Sequence, residues 1–392
     1  MGELLPDRKI TKVIFEKEIV PKIDRAKKLA RRKRKLIGYP LNTFKMLEKK
    51  MDGIQSGFYL WAGISQSSKT MNMSNMCYEI SEENKDVYII YFSIDDDFNT
   101  IYYRMLARET RIPINDVMLI ERYIENEKNN KKRTRKEILE WYELCEKKIK
   151  ERMKKVFVFD ANTTIYIEDM IKIVDKIYNE VSVRNNENEV INSNIVVLID
   201  NFHLMEFKDV EKQSFGDKTK VTQMSHAVKK NMVVKYDIPV MATAELRKLN
   251  HVGTPDLDSL KESVSLRYDA NAVFLVHNDT VSKIGETLLY WFWKGDGTIG
   301  IASDWIQDYS HLSVEEQFEL IQEAKDKNIF KPIILLIIAK NKLSGFEGKL
   351  FYALDNTRAT LYELPKELQA KLRLIPIEFM NYYEKELRKQ KK

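Results

Sequence analysis

The sequence predicts an α/β fold built on a largely parallel sheet. Short apolar runs recur along the chain, their apolar character is continuous rather than alternating, and stretches of helical periodicity separate them. Continuously apolar strands are those covered by helices on both faces, and strands that alternate with helices pair in parallel through crossover connections.

The 392 residues are 44% hydrophobic and 32% charged, enough for one large core or two modest ones. Residues 9–36 read as a leading helix, interrupted or bent at Pro21, with Ile10, Val13, Ile14, Val20 and Ile23 on its apolar side. Within it, eight of the eleven residues from Arg25 to Lys35 are Lys or Arg, although the net charge of the chain is only +6. Such a run either neutralises nucleic-acid phosphates or forms a solvated helix face. Gly38-Tyr39-Pro40 and Asp52 to Gly57 read as turns, which starts the core near residue 38. Strands are expected at Val87–Phe92, Val156–Phe159, Ile195–Ile199, Pro239–Thr243, Ala272–Val276 and Ile333–Ala339. Helices are expected at Asn99–Arg108, Lys136–Lys154, Tyr166–Val181, Lys220–Tyr236 and Val314–Asp326. The charged stretch Glu121–Lys136 reads as an exposed helix or loop. Residues 280–330 read as an insertion whose Trp291, Trp293 and Trp305 serve packing rather than recognition.

Cys77 and Cys145 stand far apart without His or Cys neighbours, which excludes a disulfide framework and a structural zinc site and fits a reducing compartment. The N-terminus is charged from Glu3 and lacks an apolar core, and Ile333–Ala339 is too short to span a bilayer. A cytoplasmic protein is therefore expected.

The chemistry concentrates at strand ends. Gly57 to Thr70 runs from an apolar strand through a phosphate-binding turn into a helix, matching G-x-x-x-x-G-K-[ST] at Gly63, Lys69 and Thr70 but placing Ser68 where a glycine is usual. Lys69 would reach the β- and γ-phosphates and Thr70 would offer a hydroxyl to Mg²⁺. Backbone N–H groups from Ser65, Gln66, Ser67, Ser68 and Lys69 would cradle the anionic tail of ATP. The strand ending in Asp95-Asp96-Asp97 supplies a carboxylate, Asp95, to activate the attacking water; the alternative is helix capping, a role that suits Asp97 or Asn99 better. Asp200 closes the apolar run Ile195–Ile199 and would hold Mg²⁺ through water. His203, beside Phe202 and Leu204, reads as a packed or hydrogen-bonded residue. Glu245 ends another strand, either to sense hydrolysis or to pair with Arg247 or Lys248.

The order of these elements resembles the C-terminal motor domain of DnaB-type replicative helicases, a RecA-like P-loop NTPase. The resemblance rests on Gly38-Tyr39-Pro40, Gly53 to Gly57, Phe92 to Asp95, Ile199-Asp200, Ala244-Glu245-Leu246, Pro255 to Ser263 with Asp269-Ala270, and Ala339 to Gly345. It implies a motor domain over residues 38–362, preceded by a linker helix in 1–37 and followed by a helical tail in 363–392. In that family the carboxylate at Asp95 is a catalytic glutamate, the residue at Glu245 a phosphate-sensing glutamine, and Lys340 and Lys342 lie in a finger that reaches a neighbouring subunit's nucleotide. The inner-channel loops fall on Glu206–Thr222 and on the stretch before Leu257, so Lys208, Lys212, Lys218 and Lys220 are candidate contacts for single-stranded DNA. Ser68, Asp95, Glu245 and Lys342 all depart from the family pattern. Lysine keeps the charge of an arginine finger but loses its planar fork, so the departures bear on hydrolysis rate more than on fold. The resemblance implies an ATP- and Mg²⁺-dependent hexameric helicase moving 5′ to 3′ on single-stranded DNA, with a loader or primase as partner, in a phage or mobile-element setting. Its rivals are a RecA-like ATPase without unwinding activity and a nonhydrolytic nucleotide-dependent scaffold.

Overall fold

The computed structural model describes Glu16, Val20 and residues 36–130, 133–184, 190–192, 194–247, 255–260, 264–278, 290–302, 304, 309, 311–327 and 329–372. The basic run at 25–35, the bend at Pro21, Lys248, Trp305 and residues 261–263 and 373–392 lie outside that set. Residues 1–37 and 38–392 form two separate units, and everything below concerns the second.

The elements, in chain order, begin with α1 (Lys45–Met51), β1 (Gly57–Gly63), α2 (Lys69–Glu83), β2 (Tyr88–Ser93) and α3 (Phe98–Thr110). Helices α4 (Ile120–Asn130) and α5 (Arg135–Met153) precede β3 (Val156–Asp160) and α6 (Ile167–Val181). After the small pair β4 (Val183–Arg184) and β5 (Val190–Asn192) come β6 (Ile195–Asp200), α7 (Asp217–Val228) and β7 (Pro239–Glu245). The chain continues through α8 (Val264–Asp269), β8 (Ala272–His277), β9 (Tyr290–Trp293), β10 (Ile299–Ile301) and α9 (Val314–Asp326). It closes with β11 (Lys331–Asn341), β12 (Gly348–Asp355), β13 (Thr360–Glu363) and α10 (Lys366–Leu372).

Six strands lie parallel in the order β8-β1-β7-β6-β2-β3. Every expected strand is present. The sheet does not stay parallel, however: β11 runs antiparallel to β8, and β12, β13, β9 and β10 extend it by antiparallel pairing. Those added strands escape sequence reading because they are short or broken by Lys, Gly and Asn, and because antiparallel neighbours need no crossover helix to announce them.

Alternate residues of each central strand enter different cores. Tyr59, Trp61, Ile89, Tyr91, Val196 and Leu198 pack with Met73, Met76, Ile80, Ile101, Met105 and Ile149 of α2, α3 and α5. Phe58, Leu60, Ile90, Phe92, Val197 and Ile199 pack instead with Met170, Val174, Val221 and Met224 of α6 and α7. Helices on both faces thus account for the unbroken apolar strands. Trp61 stacks on Phe274 with centroids 4.3 Å apart, joining β1 to β8. Trp291 is fully buried and its indole N–H donates to Leu354 O at 3.0 Å, a packing role, whereas Trp293 is 43% exposed.

Helix boundaries follow local chemistry. Asp97 caps α3 by accepting from Thr100 N, and Thr134 with Glu137 forms a capping box that starts α5. The charged stretch after Glu121 is largely helical, as α4. The helix expected to run on to Tyr236 leaves α-geometry at Lys229, where a π-helical segment over Lys229–Val234 takes up the remainder.

Candidate functional site

The strand order gathers the motif residues at one edge of the sheet. Gly63 is the register partner of Glu245, and Ser93 that of Asp200, so β1, β7, β6 and β2 end side by side. Crevices outside the carboxyl ends of parallel strands are where α/β sheets place ligands.

Between β1 and α2 the chain turns tightly. A Cβ on Gly63 would collide with Ser67 Oγ and lie 2.9 Å from Val276 O, so glycine is required there for closeness. Gln66 and Ser68 hold left-handed backbone, φ 63° and 73°. Ser68 thus adopts the conformation the missing motif glycine would take without strain, and it is the N-cap of α2 without a side-chain capping bond. Ser65 and Gln66 are exposed, while Ser67 is buried with its hydroxyl lacking a hydrogen-bond partner.

Lys69 is 8% exposed and donates to Gly63 O at 3.0 Å and Ile64 O at 2.8 Å. Burial lowers its pKa, opposed by the nearby carboxylates of Glu245, Asp200 and Asp95. The lysine and the three acids named from sequence therefore share one electrostatic site. An anionic tail entering between them would meet a cation and the N-terminus of α2 on one side and carboxylates on the other.

Asp200 is 1% exposed, and burial raises its pKa to about 6, with hydrogen bonding from Thr243 and Thr70 opposing. Oδ1 accepts from the Thr243 hydroxyl, whereas Oδ2 is buried without a partner. An orphaned carboxylate oxygen beside a threonine hydroxyl suits a hard cation, which takes oxygen donors. Among the described residues no group of three or more His, Cys, Asp or Glu forms a metal site by itself. Thr70 and Asp200 could hold Mg²⁺, its remaining ligands being supplied by water and phosphate oxygens. Thr243 was not singled out in the sequence; its signal is a hydroxyl residue inside the apolar run Val240–Ala244, one strand from the buried acid.

Asp95 is exposed just beyond β2, its N–H 3.4 Å from Asp200 O, while neighbouring Asp96 is turned away into an ion pair with Arg104. Glu245 sits at the mouth of β7, where its N–H donates to His203 Nδ1 at 3.2 Å. His203 is a hydrogen-bonded structural residue, as its sequence context suggests.

The finger candidates lie on β11 and the turn after it. Lys340 Nζ donates to the carbonyls of Arg267, Tyr268 and Ala270, capping the end of α8. Burial first, then the nearby charges of Lys342, Lys229 and Arg267, lower its pKa to about 8. Lys342 is exposed, and its N–H donates to Asn271 O at 2.8 Å. Asn341 fixes the turn, its Oδ1 accepting from Leu343 N and Ser344 N and its Nδ2 donating to Ser344 Oγ and Phe346 O. Asn271 and Asn341 are further residues the sequence did not mark; asparagines beside apolar strands are their only signal.

The DNA-contact candidates follow β6. Lys208 pairs with Asp169 at 2.7 Å and Lys212 with Asp209 at 3.8 Å, both on the surface. Lys218 and Lys220 lie in the first turn of α7, Lys218 exposed and Lys220 partly so.

Residues 41–289 match the family model described as DnaB-like helicase C terminal domain. The chain belongs to that family. It is accordingly a replicative-helicase-type domain with a RecA-like nucleotide-binding fold. Among solved structures it is similar to the ATPase domain of G40P, at 16% identity and TM-score 0.59, covering 90% of this chain and 99% of that one. It is similar also to a DnaB-like replicative helicase described with its primase interactions, at 16% identity and TM-score 0.58, covering 93% of this chain and 68% of the other. At such identity these two likenesses concern the fold. No curated protein matches the sequence significantly. No helix among the described residues is long and apolar enough to cross a membrane.

Proposed function

We propose that this chain is an ATP-driven DNA helicase that assembles as a ring, most simply a hexamer, around single-stranded DNA. The supporting observation is the convergence of Lys69, Thr70, Asp200, Asp95 and Glu245 on one edge of the sheet, in the order the family uses. Lys69 exchanges its two carbonyl acceptors for the β- and γ-phosphates of ATP, with the backbone N–H groups of Ser65 to Lys69 and the α2 N-terminus beside them. Thr70 and Asp200 hold Mg²⁺, which neutralises phosphate charge when bound. Asp95, free of the ion pair that occupies Asp96, orients and deprotonates the attacking water. Glu245 responds to the phosphate's departure through the water around it, since direct contact would be repulsive.

Lys342, and Lys340 once it gives up the carbonyls of its own chain, reach the nucleotide of the adjoining subunit, so hydrolysis loosens the contact between subunits and moves Lys208, Lys212, Lys218 and Lys220 along the strand. Movement 5′ to 3′, a phage-type replication setting and a cytoplasmic location follow the family resemblance. So does the division into a linker in 1–37, a motor in 38–362 and a tail in 363–392. The primase named for one similar structure makes a primase, or a loader, the expected protein partner.

A second reading, nucleotide-gated assembly with little hydrolysis, is favoured by the strained Ser68 and by Lys340 being spent on its own chain's carbonyls. ATP turnover with and without single-stranded DNA, in parent, Lys69→Ala and Asp95→Asn, separates the two. Lys69→Ala should lose Mg-ATP affinity. Asp95→Asn should bind like the parent and hydrolyse about a hundredfold more slowly. An Asp95→Asn chain as fast as the parent removes Asp95 from the chemistry, and a parent that releases no phosphate even on DNA leaves the scaffold reading standing.

A further inference from the structure

We propose that Lys229 is a further cation of the contact between subunits, standing beside Lys342 at the terminal phosphate of the neighbouring chain's ATP. This role rests on the proposed action of Lys342 in trans and adds a residue from a different element.

Three lysines are fastened to one short stretch of chain, residues 267–271. Lys340 Nζ donates to the carbonyls of Arg267, Tyr268 and Ala270. The Lys342 N–H donates to Asn271 O at 2.8 Å, and Lys229, which opens the π-helical segment after α7, donates from Nζ to Asn271 Oδ1. Lys229 and Lys342 are thus attached to the side chain and the main chain of the same asparagine. Lys340 is committed to three carbonyls. Partly buried Lys229 has, among the described residues, that amide oxygen as its acceptor, which leaves N–H groups of the ammonium for another.

Their charge is not cancelled on the spot. Among the described residues none of the three lysines forms an ion pair. The carboxylate of the stretch, Asp269, accepts from the Ser225 hydroxyl at 2.6 Å and lies 2.9 Å from His226 Nδ1, while Arg267 is matched by Asp258 at 2.6 Å. Glu347, beyond the turn, is exposed, and Lys50 stands over the adjoining Phe346 ring at 4.2 Å. Positive charge is therefore in excess around Asn271. Burial lowers the Lys229 pKa, Asp269 opposes that, and the charge of Lys342 lowers it further. A multiply charged anion relieves such crowding, and two ammonium groups set on one residue replace part of the two-pronged grip that a single arginine would supply.

The chain's own phosphate turn is out of reach. Asn271 Oδ1 also accepts from Phe58 N at 2.9 Å, so both lysines stand at the start of β1, whereas Lys69 is bonded to Gly63 at its far end. β1 is buried along its whole length, and Phe58 to Gly63 spans roughly 17 Å at the strand rise, so no nucleotide lies along it to join the two edges. The phosphate must come from another subunit. A compact cluster suits one phosphate group better than the extended track that a nucleic-acid strand needs.

The test is equilibrium binding of β,γ-imido-ATP and of ADP, each with Mg²⁺, to the full chain, so that no turnover is needed. Lys229→Gln, which can still donate to Asn271, should weaken the imido analogue about tenfold and leave ADP unchanged, because the terminal phosphate is present only in the former. Lys229→Arg should bind both like the parent. Asn271→Asp keeps an oxygen for Phe58 N and for Lys229 but neutralises the ammonium. It should show the same selective loss at a urea midpoint no lower than the parent's, which a purely structural lysine–asparagine contact would not give. Lys342→Ala measured alongside separates two failures. Selective loss there with Lys229→Gln like the parent overturns the role of Lys229 alone, whereas no selective loss in either variant removes the trans contact and Lys229 with it. Equal losses of both nucleotides in Lys229→Gln, or a loss confined to binding of a ten-residue oligothymidylate, would also overturn the proposal.

Discussion

At the scale of single residues, the departures from the family pattern have measurable consequences in the folded chain. Ser68 holds φ 73° at the start of α2, where a β-carbon costs about 1 kcal/mol and glycine costs nothing. Ser68→Gly should therefore raise stability by about 1 kcal/mol less the small entropic cost of glycine in the unfolded chain, read as a higher urea midpoint at unchanged slope. A midpoint that falls would mean that the Ser68 hydroxyl contributes something its geometry does not reveal. Lys340 offers a pH signature. Its folded pKa of about 8 lies below the lysine value of 10.5, so between those limits the native state binds fewer protons than the unfolded chain. Stability from this group therefore increases as pH climbs through that window and is lost as pH falls through 8. Lys340→Met should remove that slope between pH 7.5 and 9.5 in denaturant titrations; an unaltered slope would show that its amine titrates normally. The phosphate turn, the buried Asp200 and the acids of β2 and β7 were legible because each stands where an apolar run stops. Thr243, Asn271 and Asn341 were not, because a single polar residue in or beside a strand looks the same whether it binds a buried carboxylate or merely fills a turn.

At the scale of elements, the parallel half of the sheet was readable and the antiparallel half was not. Runs such as Ile195–Ile199 are apolar without a break since helices cover both faces, and few arrangements of a short strand besides that one leave no polar position in it. The β12–β13 hairpin carries Lys349, Asp355 and Glu363, which look like surface residues until Asp355 meets Lys331 and Glu363 meets the N-terminus of α1. The join between α1, α2 and α3 was equally hidden. Glu79, buried on α2, accepts from Thr43 N, from Phe44 N at 3.1 Å and from Arg108 of α3. Removing the acid leaves a guanidinium and two N–H groups without their partner in an apolar setting, which costs about 3–5 kcal/mol for a buried pair. Glu79→Ala should lower the unfolding midpoint accordingly, and Glu79→Ala with Arg108→Met should recover part of it. A loss below about 1 kcal/mol would mean that water replaces the carboxylate and that the three elements are joined by apolar packing alone.

At the scale of the whole molecule, the proposed ring predicts that Lys342 works on the next chain's nucleotide and not on its own. β11 runs antiparallel to β8 with Asn341 opposite Ala272, so Lys342, which follows it and is exposed, lies toward the amino-terminal edge of the parallel strands, opposite the edge where β1 leads to Lys69. An exposed cation at that edge is suited to another subunit's phosphate, where a lysine supplies charge without the two-pronged grip of arginine. If so, every nucleotide site in a ring is shared, and a Lys342→Ala subunit disables its neighbour's site while keeping its own pocket intact. Equimolar mixtures with the parent should then turn over ATP on single-stranded DNA at well under half the parental rate, because sequential firing around a ring stops at each defective contact. Independent sites would give a simple average of the two pure proteins. Light scattering on the same samples must show the mixed particles to be of parental mass, and Lys342→Arg should restore or exceed parental turnover. A mixture that merely averages, in particles of full size, would place the lysine's action within its own chain and leave the trans contact to other residues.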